Sequence, residues 1–103
     1  MFKQIFLWNL RSGISQDEGE KQYLEVHVPL AKKIPGLRKY TIAKARGTTP
    51  PYYRMAELYF DNEDARNAGW ASPEGKTAAE DQGFHSLTTG QITIFFDEEE
   101  VKF

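Results

Sequence analysis

The stretch Glu25–Tyr40, EVHVPLAKKIPGLRKY, decides the fold because it holds the end of a helix and the start of a strand. Pro35-Gly36 ends the helix, since the residue before a proline avoids helical backbone angles. Upstream, Pro29 lacks one backbone donor and is expected to bend the helix close to His27. The stretch therefore predicts an irregular helix that turns into a strand.

The helix is predicted to begin near Gln16. The segment Ser15-Gln-Asp-Glu18 has the pattern of a capping box, in which the serine accepts from a free amide and the glutamate reaches back. The apolar stripe of the helix recurs at spacings of three and four, and its members are Tyr23, His27, Leu30 or Ala31, and Ile34. His27 is therefore expected on the buried face, where an imidazole is unusual.

Four segments are predicted as strands from their alternation and their aromatic content: Lys3–Arg11, Leu37–Arg46, Tyr52–Phe60 and Leu87–Phe96. The first, third and fourth carry apolar groups in both alternating sets, so both faces of these strands are expected to be covered. Gly47–Pro51 is predicted as the loop between the second and third strands.

A second helical region follows the third strand. Asp61 or Asn62 is expected to cap it, and Ser72-Pro73-Glu74 restarts the helical pattern with a new cap, so a break is predicted near Ala71. The second piece is expected to carry Ala78, Ala79, Asp81 and Phe84. His85 is predicted to lie in the loop that follows, with no assigned role.

The order β-α-β-β-α-β predicts an α+β, ferredoxin-like fold over one domain, residues 1–103. Such a fold has one four-stranded antiparallel sheet with both helices on a single face. The other face would be a large apolar patch, and large apolar patches mark interfaces. A homodimer that packs sheet against sheet is the predicted cover.

The composition disfavours several classes of function. With 13 Lys+Arg against 15 Asp+Glu and no basic block, a nucleic-acid partner is not expected. The absence of cysteine removes disulfides, thiolate metal sites and cysteine nucleophiles, and it favours a cytoplasmic location. Two distant histidines and no glycine-rich phosphate loop predict no metal and no cofactor. The short apolar run at the N-terminus predicts a strand, with no signal or membrane segment.

The two sides of the turn at Pro35 are predicted to bring a histidine and a tyrosine to nearly the same height. His27 lies about 12 Å of helix before the turn, and Tyr40 lies about 16 Å of strand beyond it. An imidazole beside a phenol is a candidate acid–base pair or ligand anchor, in a pocket walled by Tyr23 and Ile42. Asp81 is a candidate to orient His27 or to bind substrate.

Each of these residues also has a structural interpretation. His27 fits a satisfied core histidine, Tyr40 a core aromatic with its hydroxyl at the rim, and Asp81 a turn-stabilising carboxylate. Trp70 and Phe84 are candidate substrate-binding residues, although Trp70 also fits a core or interface position. On the residues alone, both interpretations remain open.

The chain resembles the EthD family in motifs that cover nearly its whole length: E-V-H-V-P-L-A-K-K-I-P-G-L-R-K-Y, A-E-L-Y-F-D at Ala56–Asp61, and S-P-E-G with a later D-x-x-F at Ser72–Phe84. The resemblance implies a dimeric α+β barrel with a pocket between sheet and helices. Similar barrels include cofactor-free monooxygenases, polyketide cyclases and 4-methylmuconolactone methylisomerase, which also places a histidine and a tyrosine in its pocket. That isomerase also uses a cysteine, which this chain lacks.

The resulting expectation is a small-molecule-binding protein, a cofactor-independent accessory enzyme of catabolism or biosynthesis, of ether degradation, isomerase or monooxygenase type. His27, Tyr40 and Asp81 would be catalytic, and the ligand would be small, largely apolar and oxygenated. One alternative is a non-catalytic binding or carrier protein with the same pocket. Another is a structural partner in a larger complex.

Overall fold

The computed structural model describes residues 1–103 and has four strands and five helices. The strands are β1 Phe2–Leu10, β2 Lys39–Lys44, β3 Arg54–Phe60 and β4 Thr88–Asp97. The helices are α1 Gln16–Gln22, α2 Val28–Ala31, α3 Glu63–Ala71, α4 Pro73–Ala79 and α5 Gln82–Leu87. The sheet is antiparallel in the order β2-β3-β1-β4, which confirms the ferredoxin-like fold.

The first helical region is interrupted where the proline was expected to disturb it. A π-helical turn, Tyr23–His27, joins α1 to α2, and Val28 N donates to Tyr23 O across five residues. Pro29 has no N–H to donate, so one carbonyl of the preceding turn lacks its usual backbone donor, and the wider turn occurs where that hydrogen bond is missing. The predicted irregularity is therefore a widened turn.

The first helical region also ends earlier than the sequence predicted. Regular helix stops at Ala31, and Lys33 and Ile34 continue in tighter turns, each donating to a carbonyl three residues back. The proline after Ile34 disfavours helical angles there, and Gly36 then adopts a φ of 82° that suits glycine. The turn into β2 is thus built over several residues.

The second helical region contains one more helix than predicted. Asn62 caps α3 by accepting from Ala65 N, and Ser72 caps α4 by accepting from Gly75 N, so the predicted break after Ala71 is confirmed. Asp81 and its neighbours do not continue α4. Asp81 instead caps α5, which corrects the prediction of a loop around His85.

The helices cover one face of the sheet. The core there contains Trp8, Ala56, Leu58 and Phe60, all buried. Gln4 on β1 and Tyr40 on β2 both lie opposite Leu58 on β3, so the three side chains form one row across this face. This row lies beneath the helices, since Gln4 contacts Trp70 of α3 and Tyr40 contacts Tyr23 of the π-helical turn.

The other face is uncovered in the single chain. It presents an apolar patch over β1 and β4, whose members are Ile5, Leu7, Ile92, Ile94 and Phe96. Ile92, Ile94 and Phe96 are 39%, 40% and 45% exposed. Beside the patch, Lys3 forms ion pairs of 2.9 Å with both Glu57 and Glu98. None of the helices has the length and apolar character that crossing a membrane would require.

Candidate functional site

A cavity of about 330 Å³ lies between the helices and the covered face of the sheet. Ligand pockets in proteins run from roughly 300 to 1,000 Å³, so this one accommodates a small molecule. Most of its lining is apolar, and Phe6, Trp8, Leu58 and Phe84 contribute to it. The polar groups that interrupt this lining include Gln4, His27 and Arg66.

His27 and Asp81 form a hydrogen-bonded pair at the wall of the cavity. The Nδ1 atom of His27 lies 3.0 Å from Oδ2 of Asp81. Asp81 also accepts from Nε2 of Gln22 at 3.0 Å and from Phe84 N at 3.3 Å, so three donors converge on one carboxylate. An ionised carboxylate only accepts. The proton of a neutral His27 is therefore on Nδ1, which leaves the lone pair of Nε2 free.

Burial and hydrogen bonding set the charge states of this pair. Burial lowers the pKa of His27 below its ordinary value, and the hydrogen bond and charge of Asp81 oppose this effect without cancelling it. Burial alone would raise the pKa of Asp81, but the hydrogen bonds from His27, Gln22 and Phe84 N hold it below its ordinary value. At neutral pH the pair is thus a neutral imidazole on an ionised carboxylate.

Aromatic rings fix the orientation of the imidazole. The His27 ring stacks on Phe84 with 4.3 Å between centroids and on Tyr23 with 5.5 Å. Trp8 packs against both of these rings from the sheet. The π-helical turn contributes to this arrangement, because Tyr23 and His27 are its first and last residues. Nε2 of His27 has no protein hydrogen-bond partner.

Two tyrosines meet at the side of the cavity. The hydroxyl oxygens of Tyr23 and Tyr40 lie 2.7 Å apart, so one hydroxyl donates to the other. Burial raises the pKa of both phenols, which keeps both protonated at neutral pH. The pair has two hydrogens and uses one internally. One hydroxyl hydrogen therefore remains for a ligand.

A polar cluster at the side of the cavity, Gln4, Arg66 and Trp70, was not predicted. Oε1 of Gln4 accepts from Nε1 of Trp70 at 2.8 Å and from Nε of Arg66 at 3.1 Å. Gln4 is 2% exposed. A signal for it existed in the sequence, since Gln4 falls in the alternating set of β1 that otherwise holds Phe6 and Trp8. A polar residue in an apolar set requires partners.

The structure brings most of the predicted site residues to one place. The cavity is lined by His27, Tyr40, Tyr23, Trp70 and Phe84, and Asp81 lies directly behind His27. Ile42 was predicted to line the pocket, but it is 38% exposed and lies outside the cavity. The reason is that β2 is an edge strand whose far end the helices do not cover. His85 also lines the cavity, with Nε2 at 2.7 Å from Ala79 O. No three His, Cys, Asp or Glu side chains are grouped as metal ligands.

Fold and cavity together define a class of protein, the ferredoxin-like α+β proteins with a small-molecule cavity between helices and sheet. The chain belongs to the EthD domain family, whose sequence model matches residues 11–85. It is 33% identical over 84 residues to an uncharacterised 11.0 kDa protein of the thcB-thcC intergenic region of Rhodococcus erythropolis, covering 79% of this chain and 80% of that protein.

Solved structures show the same architecture. An EthD family protein from Bacillus halodurans superposes with a TM-score of 0.82 at 26% identity, covering 96% of this chain and 99% of the other. A dimeric ferredoxin-like protein of unknown function from Bacteroides fragilis gives 0.73 at 19%, covering 94% and 95%. SnoaB, a cofactor-independent oxygenase from Streptomyces nogalater, gives 0.71 at 16%, covering 97% and 94%. The last two similarities concern the fold alone.

Proposed function

We propose that this protein binds a small, largely apolar, oxygenated molecule in the cavity and transfers a proton to or from it with His27. The observation that carries this proposal is the His27–Asp81 pair at 3.0 Å, which leaves Nε2 of the imidazole unpartnered at an apolar cavity. A neutral imidazole with a free nitrogen is a general base. Proton transfer of this kind needs no cofactor.

The roles of the other residues follow from their contacts. Asp81 holds the Nδ1 proton and stabilises the imidazolium that forms when Nε2 takes a proton, as a buried carboxylate does beside a catalytic histidine. Tyr40, paired with Tyr23, supplies a hydroxyl hydrogen that polarises or orients the ligand. Trp70 and Phe84 supply apolar surface. This arrangement suits an accessory enzyme of isomerase, cyclase or cofactor-free oxygenase type, in catabolism, including ether degradation, or in biosynthesis.

The alternative function is a carrier that binds the same kind of molecule without turnover. The observation that favours it is that no fully enclosed side-chain polar atom lacks a partner, so the few groups left open to the cavity suit hydrogen bonds to a ligand. In a carrier, His27 and Tyr40 would only hydrogen-bond the ligand. Turnover separates the two functions.

The catalytic proposal can be tested with 5-nitrobenzisoxazole, a flat apolar probe. A base removes its carbon-bound proton, the nitrogen–oxygen bond breaks, and the single product is a coloured phenolate that carries the new nitrile group on the same ring. At pH 7 the wild-type protein is expected to release phenolate at least about 100-fold faster than His27→Gln. His85→Gln is the matched control, since Nε2 of His85 already lies at Ala79 O, and it is expected to retain most of the rate.

Binding of the probe should be followed in parallel by its effect on the thermal unfolding midpoint. A raised midpoint without phenolate release would support the carrier and contradict catalysis by His27. Equal rates for the wild type and His27→Gln would also contradict the assignment of the base.

We further propose that two copies pack through the uncovered sheet faces. The apolar patch of Ile5, Leu7, Ile92, Ile94 and Phe96 supports this, because a monomer rarely exposes so many large apolar side chains on one face. The patch occupies a continuous area over two adjacent strands. A second copy would bury it by the same contacts on both sides, as in other symmetric dimers.

A further inference from the structure

Gln4 has a fixed amide orientation. Its two neighbours, Nε1 of Trp70 and Nε of Arg66, are groups that can only donate hydrogen bonds. Both lie within hydrogen-bond distance of the same side-chain atom of Gln4, so this atom must be the oxygen. The amide nitrogen therefore occupies the other position, and its orientation follows from the chemistry of the neighbours.

The amide nitrogen of Gln4 has no acceptor in the protein. No hydrogen bond involves its Nε2, although Gln4 is 2% exposed and lines the cavity. A buried donor without an acceptor is costly, and in this protein no fully enclosed side-chain polar atom lacks a partner. Since Nε2 of Gln4 has no partner, it is not fully enclosed. Gln4 lines the cavity, so the two hydrogens on Nε2 are open to a ligand there.

The charge beside Gln4 favours an electron-rich partner. Arg66 carries the only permanent charge among the residues that line the cavity, and its Nε donates a hydrogen bond to the Gln4 amide oxygen. A cation at the oxygen end of an amide polarises the N–H groups and strengthens them as donors. Negative charge on a ligand oxygen at Nε2 would be stabilised by the amide hydrogens and by the nearby cation.

We propose that Gln4 is a ligand-binding residue that donates from Nε2 to a carbonyl or phenol oxygen of the ligand. This inference rests on the proposed ligand cavity and deepens it, because it narrows the substrate class to small apolar carbonyl or phenolic compounds. Gln4 and Tyr40 lie two strands apart in one row, about 10 Å between their backbones. The ligand lies over this row, with its oxygen at Gln4.

The same contact would stabilise the negative charge that forms on the ligand oxygen during proton transfer. When Nε2 of His27 removes a proton from a carbon beside the carbonyl, the C–H bond breaks and an N–H bond forms on the imidazole. The electron pair of the C–H bond becomes a carbon–carbon double bond, and the carbonyl oxygen takes the negative charge as an enolate. Donors that face a developing oxyanion stabilise it more strongly than the neutral carbonyl.

A matched pair of probes tests the role of Gln4. 4-Nitrophenol offers an ionisable oxygen, whereas nitrobenzene has a similar ring and nitro group without it. The wild type is expected to bind 4-nitrophenol at least about 10-fold more tightly than nitrobenzene and to increase the ionised fraction of the bound phenol. Both quantities can be measured, the first by titration and the second from the visible absorbance of the phenolate.

Two variants separate binding from folding. Gln4→Glu keeps an oxygen for Trp70 and Arg66 but replaces the N–H groups by an acceptor, so it is expected to abolish the preference for 4-nitrophenol. Gln4→Leu removes both functions and is expected to abolish the preference at a cost in stability. Gln16→Glu makes the same change at an exposed position of α1 and is expected to keep the wild-type preference.

The outcomes distinguish this inference from the proposed function. If the wild type prefers 4-nitrophenol and Gln4→Glu does so equally, the cavity binds ligands but the assignment of Gln4 is wrong. If the wild type binds both probes equally, Gln4 does not select an oxygen. If the wild type binds neither probe, the ligand cavity itself is contradicted, and the inference fails with it.

Discussion

At the scale of single residues, the chemistry of the cavity depends on the proton held by Nδ1 of His27. Asp81 fixes that proton, and Gln22 and Phe84 N fix Asp81. Together these contacts exclude the other tautomer of the imidazole, restrict rotation of its ring and oppose protonation of the carboxylate. Without these contacts, either ring nitrogen of His27 could carry the proton, and either could face the cavity.

This arrangement predicts a specific dependence of stability on pH. The pKa of His27 is lowered in the folded state, so between pH 6.5 and the lower folded value the unfolded chain binds a proton that the folded chain does not. Stability therefore falls as the pH falls below about 6.5. Above that value His27 is neutral in both states and contributes no pH dependence.

The measurement is the urea midpoint of unfolding at pH 7 and at pH 5. The wild type is expected to lose more stability on acidification than His27→Gln, whose side chain does not titrate. Asp81 contributes in a separate window, since the stability due to its lowered pKa is lost only as the pH falls through that folded value, below 3.8. An equal loss in the two proteins would show that the pKa of His27 is not lowered by folding.

At the scale of elements, the close packing of α3 and α4 positions Trp70, the donor to Gln4. Gly75 on α4 lies against the backbone of α3, and a Cβ added there would lie 2.6 Å from Cα of Trp70. Gly69 is similarly enclosed, since its Cβ would lie 2.5 Å from Pro35 O. Neither neighbour is a flexible side-chain end, so the helices would have to separate.

Gly75→Ala is therefore expected to destabilise the protein by about 1–3 kcal/mol, in spite of the better helix propensity of alanine. Gly19→Ala is the matched control on α1 and is expected to cost less. Its Cβ would meet Cδ2 of Leu10 at 2.6 Å, and that methyl group is the end of a flexible side chain. Chemical denaturation measures both changes, and a Gly75→Ala protein as stable as the wild type would refute the close approach of α3 and α4.

The sequence predicted the elements that carry a local signal and missed those that do not. Ser15, Asn62 and Ser72 each precede an acidic or proline-bearing first turn, and each caps a helix as expected. α5 has only six residues, which is less than two helical turns and too short for a recognisable apolar pattern, so its cap at Asp81 was interpreted as part of the preceding helix. Asp81 was a candidate to orient His27, but the sequence left a turn-stabilising role also open, because their contact spans 54 positions and depends on tertiary packing.

The site could be predicted only in part for the same reason. Tyr23 and His27 share a helix face and were grouped by their spacing, and Tyr40 was placed beside His27 by the lengths of helix and strand on the two sides of the turn. The partners of Gln4 lie 62 and 66 positions away, so only its polarity in an apolar set marked it. Ile42 shares the alternation of Tyr40, but periodicity does not show how far the helices extend over an edge strand.

At the scale of the whole molecule, the uncovered face of the sheet predicts the oligomeric state. Ile94→Lys would place a charge in the centre of the apolar patch and is expected to weaken dimerisation by at least about 10-fold. Val26→Lys makes the same kind of change on the helical side, where Val26 is 46% exposed, and is expected to leave dimerisation unchanged. Sedimentation velocity at micromolar concentration measures both. A monomeric wild type would contradict the proposed interface.

The ionisation of His27 is the decisive measurement, made by nitrogen chemical shifts in the imidazole-labelled protein across a pH titration. The His27–Asp81 pair predicts a neutral ring at pH 7 with its proton on Nδ1, a free Nε2, and a pKa below 6.5. A proton on Nε2 at neutral pH, or a ring that is already cationic at pH 7, would show that His27 cannot be the base of the cavity.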